Sequence, residues 1–187
     1  MATLSEAILR REQTSIDFEQ IQKTCAPHEK VSFAYLDDIP ENPSDAHFFK
    51  HGTTCCAVLC TVHDVHTHTP TDIHHWITLL KNHDSKLNSK PHYIFHDSLG
   101  NTIAQLEGKM KVFKKSLTNW AADRRVVQNR VILQKHVANI QDCGMHCIAR
   151  IIMRNMDQQE FIRWIKNSPL NPDLSVSFLS YFSLLKN

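Results

Sequence analysis

Cys143 stands at the predicted start of an apolar helix, a position that suits a nucleophile. Unpaired backbone N–H groups and the helix dipole favour negative charge there, so they lower the pKa of a thiol and raise its thiolate fraction. Gly144 lets a substrate backbone approach, and the N–H groups of this turn can face a developing oxyanion. A Cys-Gly pair also fits a small residue at the start of a core helix, so the assignment depends on partners elsewhere.

A histidine and a carboxylate supply those partners. His75-Trp76 opens one predicted strand, and Asp97 follows the next predicted strand. If the two strands are neighbours, the imidazole and the carboxylate meet at one end of the sheet. The carboxylate would then fix the tautomer of the imidazole and stabilise its charged form. Because successive strand residues face opposite sides, His74 and His96 should point away from the site.

Apolar patterning predicts the elements that position these residues. Residues 4–24 are expected to form one or two short helices, and the basic stretch 105–125 another helix. Turns or loops are predicted at Asp37–Ser44 and His63–Asp72. Strands are predicted at Cys56–Val62, His75–Leu80, His92–His96 and Val126–Leu133. A helix follows Asp142, with helical positions around Phe161–Ile165 and a last apolar segment at Val176–Leu185.

The composition fits one compact domain spanning residues 1–187. Of the 187 residues, 42% are hydrophobic and 21% charged, with no run near the roughly 18 apolar residues of a membrane span. The charged N-terminus does not resemble a secretory signal, so the six cysteines are expected to be reduced thiols. A metal site is not expected, because the spacing within one Cys/His cluster fits no common zinc pattern. That cluster is Cys55, Cys56, Cys60, His63, His66 and His68.

The net charge of +2 names no partner, but its distribution is uneven. The stretch from residue 109 to residue 130 is rich in basic side chains. It is either a solvated helix face or an anion-binding surface for DNA or an acidic partner. The basic residues concerned are Lys109, Lys111, Lys114, Lys115, Arg124, Arg125 and Arg130.

The order His75-Trp76, Asp97-Ser-Leu-Gly, glutamine and Asp142-Cys143-Gly144 resembles that of adenain-like and SUMO-protease-like cysteine peptidases. The adenoviral branch is favoured by the short chain, the CCAVLCTV strand and the Cys-Gly-x-x-Cys helix start. The resemblance extends from about Cys55 to the end, and the first fifty residues contribute little.

This resemblance implies an α+β, papain-like or adenain-like fold, with a central mixed sheet flanked by helices. It makes Cys143 the nucleophile, His75 the base and Asp97 the third member of the triad. It also implies a glutamine that donates to the oxyanion. Gln134 is our choice because it ends a predicted strand, although it lies two or three residues earlier than in the family. Gln141 is the alternative.

The resemblance further implies an endopeptidase that cleaves after glycine, because a channel lined by Trp76 and Gly144 admits only residues poor in side chains. Processing of viral precursor proteins during virion maturation follows by analogy. We expect a monomer in the virion and the host nucleus or cytoplasm, away from membranes. No cofactor is required for the chemistry, and DNA or a viral peptide would serve as activator. The alternatives are a deconjugase of ubiquitin-like modifiers of the SUMO type, and a non-enzymatic protein that binds DNA or another partner.

Overall fold

A computed structural model describes residues 16–82, 92–111, 114–134 and 142–185. The helix predicted at 4–24 is therefore tested only from residue 16. Phe113, expected on the helix at 105–125, and Gln141, the alternative oxyanion residue, lie outside the described residues.

A single mixed sheet forms the centre of the fold. Its strands are β1 (Val31–Tyr35), β2 (Cys55–His63), β3 (Pro70–Asn82), β4 (His92–His96) and β5 (Val126–Gln128), and they lie side by side in that order. The central strand β3 is antiparallel to both of its neighbours, β2 and β4, whereas the edge strands β1 and β5 run parallel to their neighbours.

Helices cover both faces of the sheet. Their bounds are α1 (Phe18–Cys25), α2 (Asp45–Phe48), α3 (Ile103–Met110), α4 (Ser116–Ala121), α5 (Cys143–Ile152), α6 (Gln158–Lys166) and α7 (Pro172–Leu185). Short 3-10 turns lie at Leu36–Asp38 and Lys50–Gly52. None of the helices in the described part of the chain combines the length and apolarity needed to cross a bilayer.

The alternation of strand side chains divides the core into two layers. Trp76 and Leu80 of β3 pack with α1, α5, α6 and α7, whereas Ile77 and Leu79 pack with α2, α3 and α4. Because the central strands are buried on both sides, they show continuous apolar runs instead of alternation. The predicted α+β architecture, with a mixed sheet flanked by helices, is confirmed in this form.

Two predicted boundaries in the first half of the chain are wrong. Strand β3 begins at Pro70, because residues 70–74 pair with the end of β2 in an exposed hairpin. Only residues 64–69 of the predicted loop His63–Asp72 remain outside the strands. Pro70 is tolerated because it is the first residue of its strand. Strand β1 was not predicted, since its five residues give a weak pattern.

Two predictions in the second half are also wrong. The helix predicted over 105–125 is two helices, and α3 ends where Lys111 adopts a left-handed conformation with φ of 55°. The strand predicted at Val126–Leu133 stops at Gln128. Asn129 leaves the sheet because its side chain binds Asp97 O and the backbone N–H and C=O of Val131.

Candidate active site

The site is assembled where α5 begins beside the middle of the sheet. Cys143 is the first residue of α5, and the backbone N–H of His146 donates to Asp142 O at 2.9 Å. The helix is fixed from behind by Cys147 and Ile148, which are fully buried against the sheet. The thiol of Cys143 is half-buried at the end of a helix whose first N–H groups favour negative charge.

His75 lies between Cys143 and Asp97. Its Nε2 donates to Asp97 Oδ1 at 2.8 Å, and the Cys143 thiol lies next to the ring, close enough to raise its pKa. Since Nε2 is occupied by Asp97, the nitrogen left for the thiol is Nδ1. Burial alone would lower the pKa of His75, but its bonds to Asp97 and Cys143 outweigh burial and raise the pKa to about 10.

The contact with His75 has the opposite effect on Cys143, whose pKa it lowers. Burial alone would raise the pKa of the thiol, but the hydrogen bond and positive charge of His75 lower it, assisted by the backbone N–H groups of Trp76 and Gly144. Burial raises the pKa of Cys25 and Cys56 to about 12 and that of Cys55 to about 11. Burial also raises the pKa of Cys60 and Cys147 well above the usual value of a thiol. Of the six thiols, Cys143 alone has a pKa that its surroundings lower.

Asp97 is held by the turn that follows β4. Its Oδ1 also accepts from Leu99 N at 2.8 Å, and its Oδ2 accepts from the Asn101 side chain at 2.8 Å. Burial would raise the pKa of this carboxyl, but the bond and charge of His75, with the other donors, lower it. The carboxylate is therefore ionised, fully buried and fixed in direction.

A tight contact behind this turn explains Gly100. Its φ is +72°, and a Cβ there would lie 2.9 Å from backbone atoms of both Val131 and Ile132. Asn129 secures the same approach by donating to Asp97 O at 2.7 Å. The sequence analysis missed Asn101 and Asn129. The only signal for Asn101 was a short polar residue four positions after the acid.

Gln134 lies beside Ser98, the residue that follows Asp97. The Ser98 hydroxyl donates to Gln134 Oε1 at 2.7 Å, and Ser98 O accepts the backbone N–H groups of Leu133 and Gln134 at 2.8 and 3.0 Å. Ser98 thereby fixes the amide so that its Nε2 donors face away from Ser98. The alternative residue, Gln141, is outside the described residues.

The two residues predicted to line the substrate channel are covered by the chain itself. Trp76 Nε1 donates to Ile16 O at 2.8 Å, and the Phe18 ring meets the Trp76 ring edge-on at 4.8 Å. A Cβ built on Gly144 would lie 2.7 Å from Ile16 Cβ. The space beside Gly144 is thus occupied by Ile16, a neighbour that nothing in the sequence indicated.

The rival histidines lie elsewhere, as the strand alternation predicts. His74 is exposed and contacts Thr61 Oγ1 at 3.3 Å. His96 is buried on the other side of its strand, where Nδ1 meets the Gln158 amide at 3.1 Å. Burial lowers the pKa of His96, assisted by the nearby charge of Arg150. Within the described ranges, no group of three or more metal-ligating side chains is placed to hold an ion.

The basic stretch is divided by the structure. Arg124 pairs with Asp45 at 3.1 Å and stacks over the Trp120 ring at 5.4 Å, so its guanidinium packs within the fold. The other predicted nucleic-acid contacts are exposed: Lys109, Lys111, Lys114, Lys115 and Arg125, together with Arg130.

No protein-family model matches the chain, and no curated protein matches it in a sequence search. The function must therefore be inferred from the chemistry of the site. A buried carboxylate, an imidazole and a thiol in series can hold a thiolate–imidazolium pair. Such a pair can attack an electrophilic carbon and then supply a proton to the leaving group.

Proposed function

We propose that this protein is a cysteine endopeptidase with Cys143 as nucleophile, His75 as acid and base, and Asp97 as the residue that orients His75. The observation that carries the proposal is the position of His75, which is hydrogen-bonded to Asp97 at 2.8 Å and lies beside Cys143, close enough for each to shift the pKa of the other. Perturbed ionisation of this kind is typical of catalytic sites. The papain-like or adenain-like arrangement expected from the sequence belongs to the same proposal.

Peptide hydrolysis at this site proceeds through a thioester. The resting thiolate of Cys143 attacks the scissile carbonyl carbon, and the carbonyl oxygen takes up negative charge. Gln134 Nε2 and the backbone N–H of Cys143 donate to that oxygen. His75 gives its proton to the leaving amine, and the C–N bond breaks. A water molecule then loses a proton to His75 and attacks the thioester, which releases the acid and the Cys143 thiolate beside the protonated His75.

The substrate is proposed to carry glycine before the scissile bond, following the resemblance to the adenain-like peptidases. The same resemblance suggests viral precursor proteins as natural substrates during virion maturation, with action in the virion and the host nucleus or cytoplasm. DNA is the activator under this proposal, because the exposed cations near α3 and α4 offer several phosphate contacts. Activation by a viral peptide, and action as a monomer, rest on the resemblance alone.

The test is incubation of the protein with a library of glycine-containing peptides, beside the Cys143→Ala variant. Cleavage after glycine by the native protein and none by the variant is the expected result. Cleavage that survives the substitution unchanged would overturn the proposed mechanism. A short Gly-Gly peptide compared with a ubiquitin-like fusion separates the endopeptidase from a deconjugase of SUMO type. Nucleic-acid binding by both proteins, with no proteolysis by either, would favour the non-enzymatic alternative.

A further inference from the structure

Ile16 lies against the two residues that adjoin the reactive pair. Trp76 follows His75 in β3, and its indole N–H donates to Ile16 O at 2.8 Å. Gly144 follows Cys143 in α5, and the space that its missing side chain leaves is filled by Ile16. Ile16 is only 4% exposed. It therefore connects the strand that carries the base to the helix that carries the nucleophile.

The local structure holds Ile16 firmly in this position. Asp17 caps α1, with Gln20 N donating to Asp17 Oδ1 at 2.8 Å and Asp17 N donating back to the Gln20 side chain at 3.3 Å. The next residue, Phe18, packs edge-on against the rings of Trp76 and Phe33. A capping box and an aromatic cluster directly after Ile16 make it a fixed wall.

Ile16 thus lies against the residue that follows Cys143 in the chain. The backbone N–H groups of Trp76 and Gly144 both point at Cys143, and Ile16 touches both of these residues. A carbon atom attacked by Cys143 approaches the sulfur beside these residues. A side chain on the residue being attacked would add a branch within the space beside Ile16.

We propose that Ile16 is a specificity-determining residue, whose side chain restricts the carbon attacked by Cys143 to one without a branched neighbour, and so selects glycine. This inference rests on the proposed peptidase function for its biological meaning. Its steric content concerns Cys143 alone and can be tested without proteolysis.

Alkylation of Cys143 tests the steric content directly. Bromoacetamide and 2-bromopropionamide differ by one methyl group on the attacked carbon. Each forms an S–C bond as bromide leaves, and peptide mapping counts only the product at Cys143. The rate ratio of the two reagents is divided by the ratio for free cysteine, which removes their intrinsic difference. We expect the native protein to disfavour the branched reagent by roughly tenfold, as one methyl group in a tight pocket does.

Ile16→Ala is expected to remove most of that discrimination, and Ile16→Val, which is more certain to fold, about half of it. The matched control is Ile39→Ala, because Ile39 is 5% exposed and packs on the opposite face of the sheet. It should lose similar stability and keep the native ratio. An unchanged ratio in folded Ile16→Ala would overturn the proposal, as would equal acceleration of both reagents.

Peptides with glycine or alanine before the scissile bond then test the biological meaning. Ile16→Ala should raise kcat/KM for the alanine peptide relative to the glycine peptide by about tenfold. If the native protein cleaves neither peptide, the proposed function fails, and the alkylation ratio still decides the role of Ile16. If peptides are cleaved after glycine but the alkylation ratio of Ile16→Ala equals that of the native protein, the proposed function stands and this inference is wrong.

Discussion

Three ionisable side chains meet at the site with little water around them, and their ionisation depends on one another. The lowered pKa of Asp97 supplies a permanent negative charge, which helps to raise the pKa of His75 to about 10. The protonated imidazole in turn lowers the pKa of Cys143. Because the thiol pKa falls while the imidazole pKa rises, the surroundings favour the thiolate–imidazolium form of the pair.

Asp97→Asn tests this chain of dependence. The substitution keeps the size of the side chain but removes the charge, so the pKa of His75 should fall and that of Cys143 should rise. In the native protein, the pH midpoint of Cys143 alkylation by bromoacetamide should lie below the ordinary thiol value of about 8.5. In the variant it should move upward by roughly 1–2 pH units, and kcat should fall by about 10²–10⁴.

Cys143→Ala, in which the alkylation signal must disappear, is the control for that profile. His75→Ala should move the midpoint at least as far as Asp97→Asn, since it removes the direct partner of the thiol. A midpoint that stays fixed in both variants would show that the helix start alone sets the ionisation of Cys143.

Gln134 offers a second test at this scale. Gln134→Ala should lower kcat by about 10²–10³ with little change in KM, because the lost donor acts on the charge that develops in the transition state. Ser98→Ala, which frees the amide held at 2.7 Å, should give a smaller loss in kcat. Cys143 alkylation should proceed at the native rate in both variants, because no oxyanion forms in that reaction. A parallel fall in alkylation would make Gln134 a structural residue.

Local rules account for what the sequence predicted at the site. Strand alternation separated His75 from His74, and helix-start chemistry singled out Cys143. The contacts of Asn129 and Ile16 follow no local rule, because each joins segments that are distant in the chain and meet only after the sheet has formed. The same reason explains the short β5, whose end is decided by the Asn129 contact with Asp97 O.

At the scale of elements, the approach of α1 to α5 depends on the missing side chain of Gly144. Carbon atoms of this kind normally stay 3.5–4.0 Å apart, yet a Cβ here would lie 2.7 Å from Ile16 Cβ and 3.2 Å from its Cγ2. The closest atom is thus Cβ of Ile16, which alanine at position 16 would retain and glycine would not. This difference makes the contact testable by a double-mutant cycle.

Gly144→Ala should lower the free energy of unfolding by about 1–3 kcal/mol in the native background, as overpacking does. The cost should persist largely in the Ile16→Ala background, where the Cβ–Cβ contact remains. In the Ile16→Gly background it should vanish or change sign, because alanine is the better helix former by up to ~1 kcal/mol. Urea unfolding of the six proteins gives these values. An equal cost in all three backgrounds would place the strain elsewhere.

Arg150 performs a comparable joining role at the other end of α5. Its guanidinium is buried, donates to Met153 O and Met156 O at 2.8 Å each, and lies 4.9 Å from the centre of the Phe161 ring. Burial lowers the pKa of this group to about 10. The turn between α5 and α6 is therefore fixed by a charged side chain, and the helix that presents Cys143 is secured at both ends.

For the whole molecule, Asp45 joins elements on the face of the sheet opposite Cys143. From the start of α2, its carboxylate accepts from Lys81 of β3 at 2.7 Å and from Tyr93 of β4 at 2.6 Å. Trp120 and Arg124 donate to the other oxygen at 3.1 Å each. Burial would raise the pKa of Asp45, but the bonds from Lys81, Tyr93 and Trp120 outweigh it and lower the pKa to about 2.

This depressed pKa predicts how the stability of the fold depends on acid. Because the folded pKa of Asp45 lies below the unfolded value of about 3.9, its stabilisation is complete above about pH 4 and is lost as the pH falls towards about 2. Asp45→Asn should lower the free energy of unfolding at pH 7 by about 1–2 kcal/mol. It should also flatten the decline in the free energy of unfolding between pH 4 and pH 2, leaving the part contributed by other carboxylates such as Asp97.

Urea unfolding at pH 7, 4, 3 and 2.5 measures both effects, with the exposed Asp72→Asn as control. A decline as steep in Asp45→Asn as in the native protein would mean that the elements meeting at Asp45 are held by their apolar contacts, and that its charge stabilises little.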